Sequence, residues 1–408
     1  MPSYDVIIIG GGIAGCALAT TLARSGLAVG LLERDPEPVD RVRGEFMAPW
    51  GVIELKRLGL LDTLMNAGGV FSVRNIPYDE NQPGEQAIPF TVRFADLVPD
   101  VVGAFCMGHP AMCRVLAAKA ESAGATILRG IGDIAIEPGS PPKIAFTHDG
   151  QRLEWAPRLV VGADGRNSRV RHQLGLKLLS DPPHNLIGGM LVEGVPDWPQ
   201  DTQVIGTEGR ARFLVFPQGG DRVRLYLCYD FADKAAYGGP HRQQKLIETF
   251  GLLKCFPQAA MIAGSRPIGP FSSYSNEDHW LEDPTAPGVV LVGDAAGHND
   301  PVIGQGLSIA LRDVRLVSEI MLAGKYEREA FREYVAERLE RMRRLRIAAR
   351  LVAKLGVEFG EEARLRRARV ARRVREKMPT PAGAAILGPE KIPAANFEQS
   401  TLDALLAP

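Results

Sequence analysis

The chain of 408 residues is 45% hydrophobic and 24% charged, a composition that excludes a disordered or fibrous protein. Its length exceeds one ordinary hydrophobic core and predicts two intertwined domains. Its net charge is zero, and no apolar run reaches the roughly 18 residues of a membrane-spanning helix. The N-terminus carries no basic leader and the five cysteines form no CxxC pair, so we expect a mature cytoplasmic protein with reduced thiols and no metal site.

The first strand, helix and strand of the chain predict a nucleotide-binding fold. YDVIIIG is a continuous apolar run typical of a central parallel strand, a helix is predicted over 13–25, and AVGLLER predicts the second strand. GGGIAG lies between the first strand and the helix. Its GxGxxG spacing allows a tight turn and lets backbone N–H groups approach a pyrophosphate at the helix N-terminus. The acid that ends the second strand can accept a hydrogen bond from a ribose hydroxyl. The predicted contacts are Gly10, Gly12, Ile13, Ala14, Gly15, Glu33 and Arg34.

Two later apolar runs, RLVVGADG and GVVLVGDAAG, also end in glycine and aspartate. The stretch GQGL, which follows the second run, opens a helix whose N-terminal N–H groups would point at an acceptor or an anion. These runs predict further strands of the same layer, which is therefore interrupted by insertions. The candidate residues here are Asp164, Gly165, Gly293, Asp294, Gly304, Gln305, Gly306 and Leu307. On these residues alone, the choice between FAD and NAD stays open.

The inserted segments have a different pattern. RVRLYLCYD alternates, with Val223, Leu225 and Leu227 on one face, which predicts a half-buried antiparallel strand. PQGGD predicts a turn that joins this strand to ARFLVF. We therefore predict a discontinuous nucleotide-binding domain, a mainly antiparallel substrate domain, and a C-terminal helical segment with a Pro/Gly-rich tail. Their ranges are 1–70, 101–180 and 271–327 for the first, 71–100 and 181–270 for the second, and 328–408 for the third.

The three glycine and aspartate motifs, in this order, resemble the three fingerprints of the single-component (group A) FAD-dependent aromatic monooxygenases. That family has the para-hydroxybenzoate hydroxylase fold, and the resemblance runs over about residues 4–322. It implies an α/β protein in which a Rossmann-like FAD-binding domain of the GR2 type is interleaved with the antiparallel substrate domain. It also implies FAD as cofactor, NAD(P)H as co-substrate, and O₂. The expected enzyme hydroxylates or epoxidises a small aromatic, polyketide-like or lipophilic substrate through a flavin C4a-(hydro)peroxide.

The resemblance also assigns roles to several residues. It implies that Glu33 meets the adenosine ribose, that Asp164 lies near the pyrophosphate and the pyridine nucleotide, and that Asp294 binds the ribityl chain. Pro301 and the turn that follows it would lie beside the isoalloxazine. In the segment RGEFMAPWGVIELKRLGL, Arg43 would supply a cation near the pyrophosphate or the flavin.

The sequence departs from the family pattern at two positions. The family usually has histidine directly after Gly-Asp-Ala-Ala, where this chain has Gly297, with His298 one place later. It usually has arginine or glutamine where this chain offers His109, whose imidazole is not a fixed cation. His109, Pro301 and His298 are therefore the catalytic candidates, and no nucleophile or acid pair is evident. Four residues of the substrate domain stay unranked: Arg212, Tyr226, Tyr229 and His184.

Three alternatives remain open. A related FAD-dependent reductase would need the same motifs, whereas a halogenase is disfavoured because the WxWxIP signature is absent. A non-catalytic flavin-binding protein is the third class.

The segment from Arg338 to Lys377 carries fifteen Lys/Arg against five Glu. Because no aromatic residues interleave these arginines, nucleic acid is not expected as a partner. A helix packed on the protein is favoured over a weak membrane-surface contact.

Overall fold

The computed structural model describes residues 3–408. The strands of this range are β1 (Val6–Ile9), β2 (Val29–Glu33), β3 (Phe46–Met47), β4 (Val70–Ser72), β5 (Arg74–Asp79), β6 (Val92–Arg93), β7 (Ala104–Cys106), β8 (Thr126–Arg129), β9 (Ile134–Glu137), β10 (Lys143–His148), β11 (Gln151–Trp155), β12 (Leu159–Gly162), β13 (Leu179–Ser180), β14 (Asn185–Glu193), β15 (Thr202–Glu208), β16 (Ala211–Pro217), β17 (Arg222–Tyr229), β18 (Arg266–Asn276), β19 (His279–Trp280), β20 (Thr285–Ala286) and β21 (Val289–Leu291). Its α-helices are α1 (Ile13–Ala23), α2 (Pro49–Arg57), α3 (Leu61–Asn66), α4 (Phe94–Leu97), α5 (His109–Ser122), α6 (Arg169–Gln173), α7 (Arg242–Gly251), α8 (Ala259–Ala263), α9 (Gly306–Leu322), α10 (Arg332–Gly356), α11 (Glu361–Arg375), α12 (Ala384–Leu387) and α13 (Gln399–Leu406).

The first layer is a six-stranded sheet, here called the parallel sheet, in the order β20-β21-β12-β1-β2-β8. Strand β1 pairs in parallel with β12 and β2, and all four of its residues are buried. Helix α1 packs with α5 and α9 on one face, while side chains of β10 such as Ile144 and Phe146 cover the other. Burial on both faces explains the unbroken apolar runs of these strands.

The second layer is a seven-stranded sheet, here called the mixed sheet, in the order β18-β14-β17-β16-β15-β5-β6. Its pairs are antiparallel except for β5 and β15, which run in parallel. Val223, Leu225 and Leu227 of β17 join the core on one face, as the alternation predicts. The prediction that β17 is half-buried is wrong, because Arg224 and Cys228 on its other face are also buried. That face lies against the rest of the protein and not against water.

The domain ranges remain a prediction, but the extent of the mixed sheet suggests that one domain boundary should move. Strands β5 and β6 join β14 to β18 in this sheet, so residues before and after the second fingerprint, which contains Asp164, build it together. Strand β18 continues to Asn276, six residues past the boundary expected at 270. We therefore propose to place that boundary after Asn276.

The basic C-terminal segment is packed against the protein. Met342, Leu345 and Ala349 of α10 are buried in a core cluster with residues of the mixed sheet. Arg338 and Arg341 are also buried, each on a carboxylate oxygen of the same aspartate in α9. The membrane-surface alternative therefore has no support in the structure. Within residues 3–408, no helix combines the length and the apolar character needed to cross a membrane.

Candidate functional site

A cavity of about 570 Å³ lies between the carboxyl ends of the parallel strands and one face of the mixed sheet. Its size is typical of a small-molecule or cofactor site. All of the predicted cofactor residues except Gly15 line it: Gly10, Gly12, Ile13, Ala14, Glu33, Arg34, Arg43, His109, Asp164, Gly165, Gly293, Asp294, Pro301, Gly304, Gln305, Gly306 and Leu307. Residues from four separate stretches of the chain therefore meet in one place.

The glycine-rich turn after β1 leaves room for a ligand by the absence of side chains. Gly10 has a φ of +111°, and a Cβ there would lie 2.4 Å from the carbonyl oxygen of Ala163. A Cβ at Gly15 would lie 1.9 Å from the carbonyl oxygen of Gly10, so α1 can pack this closely against the turn only because Gly15 has no side chain. Gly12 instead faces open space at the N-terminus of α1. The turn can therefore bring backbone N–H groups close to an anion.

Glu33 ends β2 beside this turn. Its carboxylate accepts hydrogen bonds from the backbone N–H groups of Gly11 at 2.5 Å and Asp35 at 2.8 Å. A carboxylate offers about four acceptor positions, so two remain for other donors. The carboxylate is thereby held in a fixed orientation and keeps free positions for the hydroxyls of a sugar.

Asp164 ends β12 and retains an unused acceptor. Its Oδ2 accepts hydrogen bonds from the backbone N–H groups of Arg169 at 2.7 Å and Val170 at 3.2 Å, at the start of α6. Its Oδ1 is buried and has no hydrogen-bond partner within the described residues. Buried polar atoms are normally paired. The unpaired oxygen therefore favours a bound donor at this point.

Asp294 lies on the short turn Gly293–Ala296 that follows β21. Burial alone would raise the pKa of this carboxyl, but the guanidinium groups of Arg166 and Arg43 outweigh it and hold the pKa below its ordinary value. Arg166 Nε lies 3.3 Å from the Asp294 carboxylate. The group is therefore ionised at neutral pH and presents only acceptors, as binding of a polyol chain requires.

The turn that carries Asp294 is fixed by buried charges from two C-terminal helices. Arg338 of α10 donates hydrogen bonds to the carbonyl oxygens of Gly293, Ala296 and Gly297 at 2.9 to 3.1 Å. Asp313 of α9 accepts from Gly293 N at 2.8 Å and from Arg338 Nε at 3.0 Å. This support is not predicted from the sequence. Its only signal was an acid within the apolar pattern of α9.

The start of α9 faces the cavity. Gly304 adopts a left-handed φ of +63°, which glycine favours, and this conformation ends the short turn Pro301–Ile303. The helix of 17 residues that follows carries unpaired N–H groups at its N-terminus and the positive end of its dipole. The Gln305 side chain accepts from Trp50 Nε1 at 2.7 Å and donates to the carbonyl oxygen of Ala385 at 3.2 Å. That side chain therefore holds the turn in place.

The three candidate histidines differ in whether they line the cavity. His109 lines the cavity, and burial together with Arg43 lowers its pKa to about 4, so it is neutral at pH 7. His298 does not line the cavity: it stacks on His279, with 4.5 Å between ring centroids, and burial lowers its pKa to about 3. His184 pairs with Asp300 at 2.5 Å, also outside the cavity. Of the three, only His109 lines the cavity itself.

The other candidates of the substrate domain also differ in whether they line the cavity. Arg212 and Tyr226 line the cavity, whereas Tyr229 lies outside it and bonds Ser273 at 2.7 Å. The Tyr226 hydroxyl lies 3.2 Å from a carboxylate oxygen of Glu45, a buried residue that also pairs with Arg224. Burial raises the pKa of Glu45 to about 7 despite that arginine. No sequence motif singles out Glu45, which lies in the segment RGEFMAPWGVIELKRLGL.

A second, more polar groove of about 590 Å³ adjoins the cavity. The two share Arg41, Arg43, Arg166, Asn167 and Tyr274 as lining residues. The groove adds Arg171 and the stacked pair His279 and His298. Four arginines line the groove against the two acids Asp40 and Glu277, so its net charge is positive.

The family comparison agrees with this geometry. The model of the family described as "FAD binding domain" matches residues 3–349. The chain belongs to this FAD-binding family. The match confirms the resemblance to the flavoprotein monooxygenases and the predicted fold class, and FAD is the cofactor. Three features fit FAD: the open turn at Gly12, the unpaired Asp164 Oδ1, and the start of α9.

Several known proteins are similar to this chain. Squalene monooxygenase from Rattus norvegicus is 27% identical over 330 residues, covering 78% of this chain and 54% of that protein. The chain thus spans about half the length of this relative. 3-Demethoxyubiquinol 3-hydroxylase from Escherichia coli is 27% identical over 372 residues, covering 84% and 85%. The structure of p-nitrophenol 4-monooxygenase PnpA from Pseudomonas putida has a TM-score of 0.75 at 17% identity, covering 98% and 97%.

Proposed function

We propose that this chain is a flavoprotein monooxygenase that uses NAD(P)H and O₂ to hydroxylate or epoxidise a small aromatic or lipophilic molecule. One observation carries the proposal: a single cavity runs from the nucleotide motifs to an apolar face of the mixed sheet formed by Ile187, Ile205, Leu214 and Phe216. A flavin bound by the motifs and a substrate on that face would share one enclosed space. The cytoplasmic location remains a prediction from the sequence.

FAD, when bound, supplies electron transfer from NAD(P)H and the oxygen chemistry. The chain would hold the cofactor through Glu33, Asp164 and Asp294. The N–H groups at the start of α9 would stabilise negative charge on the ring without reorganisation. The adjoining cationic groove, with Arg41 and Arg171, would hold the phosphates of the pyridine nucleotide.

The C-terminal segment gives the cavity a second wall. Ala382, Ala385 and Ile386 line it from one side, and the mixed sheet lines it from the other. In the proposed reaction these apolar side chains exclude water from the reacting centre. Exclusion of water keeps the oxygen transfer coupled to the substrate and limits wasted reductant.

Tyr226 and Glu45 would manage the proton of a phenolic substrate. Tyr226 lines the cavity, and its hydroxyl donates to the buried Glu45 carboxylate. Burial raises the pKa of Glu45 to about 7, close to the pH at which the proton must move. We propose that Tyr226 passes a proton from the substrate hydroxyl to Glu45.

The test is a screen of aromatic and lipophilic compounds with the FAD-loaded protein, NAD(P)H and isotopically labelled O₂. The proposal expects at least one compound to accelerate NAD(P)H oxidation and to gain one labelled oxygen atom. Acceleration without labelled product from any compound would count against oxygen insertion and in favour of a reductase or an oxidase.

A further inference from the structure

A buried carboxylate lies behind the loop that leads from the Asp294 turn to Pro301. Asp278 follows the last residue of β18 and is buried. Its Oδ1 accepts hydrogen bonds from Asn299 Nδ2 at 2.6 Å and from the backbone N–H of Asp300 at 3.0 Å. One carboxylate oxygen therefore holds two successive residues of this loop.

The contact with Asp278 fixes the orientation of the Asn299 amide. An ionised carboxylate only accepts hydrogen bonds, so the NH₂ group of Asn299 must face it and Oδ1 must face away. Asn299 lines the cavity, and its Oδ1 is buried without a hydrogen-bond partner within residues 3–408. Buried polar atoms are normally paired. An unpaired amide oxygen in the cavity wall therefore favours a bound donor.

The next residue of the loop is fixed from its other side. Asp300 Oδ1 accepts from the backbone N–H of Val302 at 2.9 Å, and Asp300 Oδ2 pairs with His184. The loop is thus held at Asn299 by one acid and at Val302 by another. Asn299 cannot turn away from the cavity unless these bonds break.

Asp278 can change its charge near neutral pH. The charged and titratable groups around it are Asp300, His184, Glu277 and Arg346. Burial and the Asp300 carboxylate outweigh the Arg346 guanidinium and raise the pKa of Asp278 to about 7. Both hydrogen bonds end on Oδ1, so Oδ2 can take up a proton without breaking them. The ionised form is the stronger acceptor, and it polarises the Asn299 amide so that the amide oxygen also accepts more strongly.

We propose that Asn299 accepts a hydrogen bond from an N–H or O–H of the bound flavin, and that Asp278 is the positioning residue that orients Asn299 and sets the strength of this bond. Asn299 lies in the chain between Asp294 and Pro301, the residues assigned to the ribityl chain and the isoalloxazine. The flavin offers its ring N3–H and its ribityl hydroxyls as donors. This inference rests on the proposed function, because it requires bound FAD. FAD should therefore bind more tightly when Asp278 is ionised.

The test measures the dissociation constant of FAD on the full chain at pH 6 and pH 8 from the quenching of flavin fluorescence. Wild type should bind FAD about fivefold more weakly at pH 6, the difference between a charged and a neutral acceptor. Asp278→Asn offers the same acceptor oxygen to both donors but no titrating proton, so it should lose that fivefold change. A pH dependence due to Glu45 is common to both proteins and cancels in the comparison. Asp197→Asn, which alters an exposed acid between β14 and β15, should keep the change.

The second arm of the test removes the amide oxygen itself. Asn299→Leu has nearly the same shape and should bind FAD about tenfold more weakly at pH 8. Asn66→Leu, at the exposed end of α3, is the matched control and should bind FAD as wild type does. FAD methylated at N3 identifies the donor. If the ring N3–H is the donor, Asn299→Leu should cost no affinity for this analogue, whereas the full loss should remain if a ribityl hydroxyl is the donor.

A fivefold change that survives Asp278→Asn, or equal FAD affinity of Asn299→Leu and wild type, would overturn the inference. A purely structural role for Asp278 would leave the ratio of the two FAD affinities the same in Asp278→Asn as in wild type. A wild-type protein that takes up FAD with equal affinity at both pH values contradicts this inference alone. A protein that takes up no FAD contradicts the proposed function itself.

Discussion

The two ends of the cavity are built on opposite electrostatic principles. At the nucleotide end, Asp294 and Arg166 face each other, and Glu33 accepts two backbone hydrogen bonds. At the mixed-sheet end, the apolar side chains of Ile205, Leu214 and Phe216 form most of the wall. The carboxylates of the first end are held in place by hydrogen bonds within the chain, so that end is shaped before any ligand arrives, and Asp164 Oδ1 is left as an acceptor for the ligand. The second end offers mainly apolar surface, which selects a ligand by its shape and its apolar area.

The largest expected effect comes from removing the acid of the nucleotide end. Asp294→Ala should purify largely without flavin, because the ribityl chain would lose its ionised acceptor. The ratio of flavin to protein absorbance measures the occupancy. Glu282→Ala, which removes an exposed acid from the same region, is the matched control and should keep its flavin. Full occupancy with normal turnover in Asp294→Ala would show that the third fingerprint is misassigned.

The next effect concerns the support of that turn. Arg338→Gln leaves the buried Asp313 without one of its partners, which should cost about 3–5 kcal/mol of unfolding free energy. Three carbonyl oxygens of the Asp294 turn would lose their donor at the same time, so FAD affinity should also fall. Urea unfolding and FAD titration measure the two quantities.

Arg343 provides the control for that experiment, since it pairs with Glu340 on the exposed side of the same helix. Arg343→Gln should change stability by less than about 1 kcal/mol. Equal FAD affinity of Arg338→Gln and wild type would mean that the turn holds its shape without Arg338.

A smaller effect is expected at the proton path. Tyr226→Phe should slow product formation from a phenolic substrate by about 10²-fold. Flavin reduction by NAD(P)H should remain, so reductant would be consumed without coupled product. Tyr229→Phe is the control, because that hydroxyl bonds Ser273 outside the cavity. Identical coupling in the two variants would exclude Tyr226 from the path.

The smallest effect is a pH dependence of stability. The folded pKa of Glu45 is raised from 4.5 to about 7, so the folded state binds more protons than the unfolded state between these values. Stability from this group is therefore present below pH 4.5 and is lost as the pH rises through 7. Glu45→Gln should flatten the profile over that window by about 3 kcal/mol at most. The pKa of Asp278 is also raised to about 7, so part of the slope should persist. An unchanged slope in Glu45→Gln would contradict this assignment.

The two ends of the cavity also differ in how far their contacts can be predicted from the sequence. Gly10, Glu33, Asp164 and Asp294 each sit at a strand end, where a local pattern of strand, turn and helix suffices to predict their convergence. Asp313 and Arg338 bond across two helices that the pattern predicts only as amphipathic segments. Their pairing depends on how the helices pack, which no local pattern specifies.

The mixed-sheet end is harder still to predict. The alternation of β17 identified Tyr226 as a face residue, but not that Glu45, far away in the chain, would meet it. His298 follows the third fingerprint in sequence, yet the turn directs it into the neighbouring groove. Such contacts arise from the meeting of the two layers, so they become visible only in the assembled fold.

The central claim is that this chain binds FAD and reduces it with a nicotinamide nucleotide. The most direct test records the visible spectrum of the purified protein, then adds NADH or NADPH without oxygen and follows the flavin band. We expect a yellow protein whose flavin bleaches with at least one nucleotide and reoxidises in air. A colourless protein that takes up no added FAD would contradict the account.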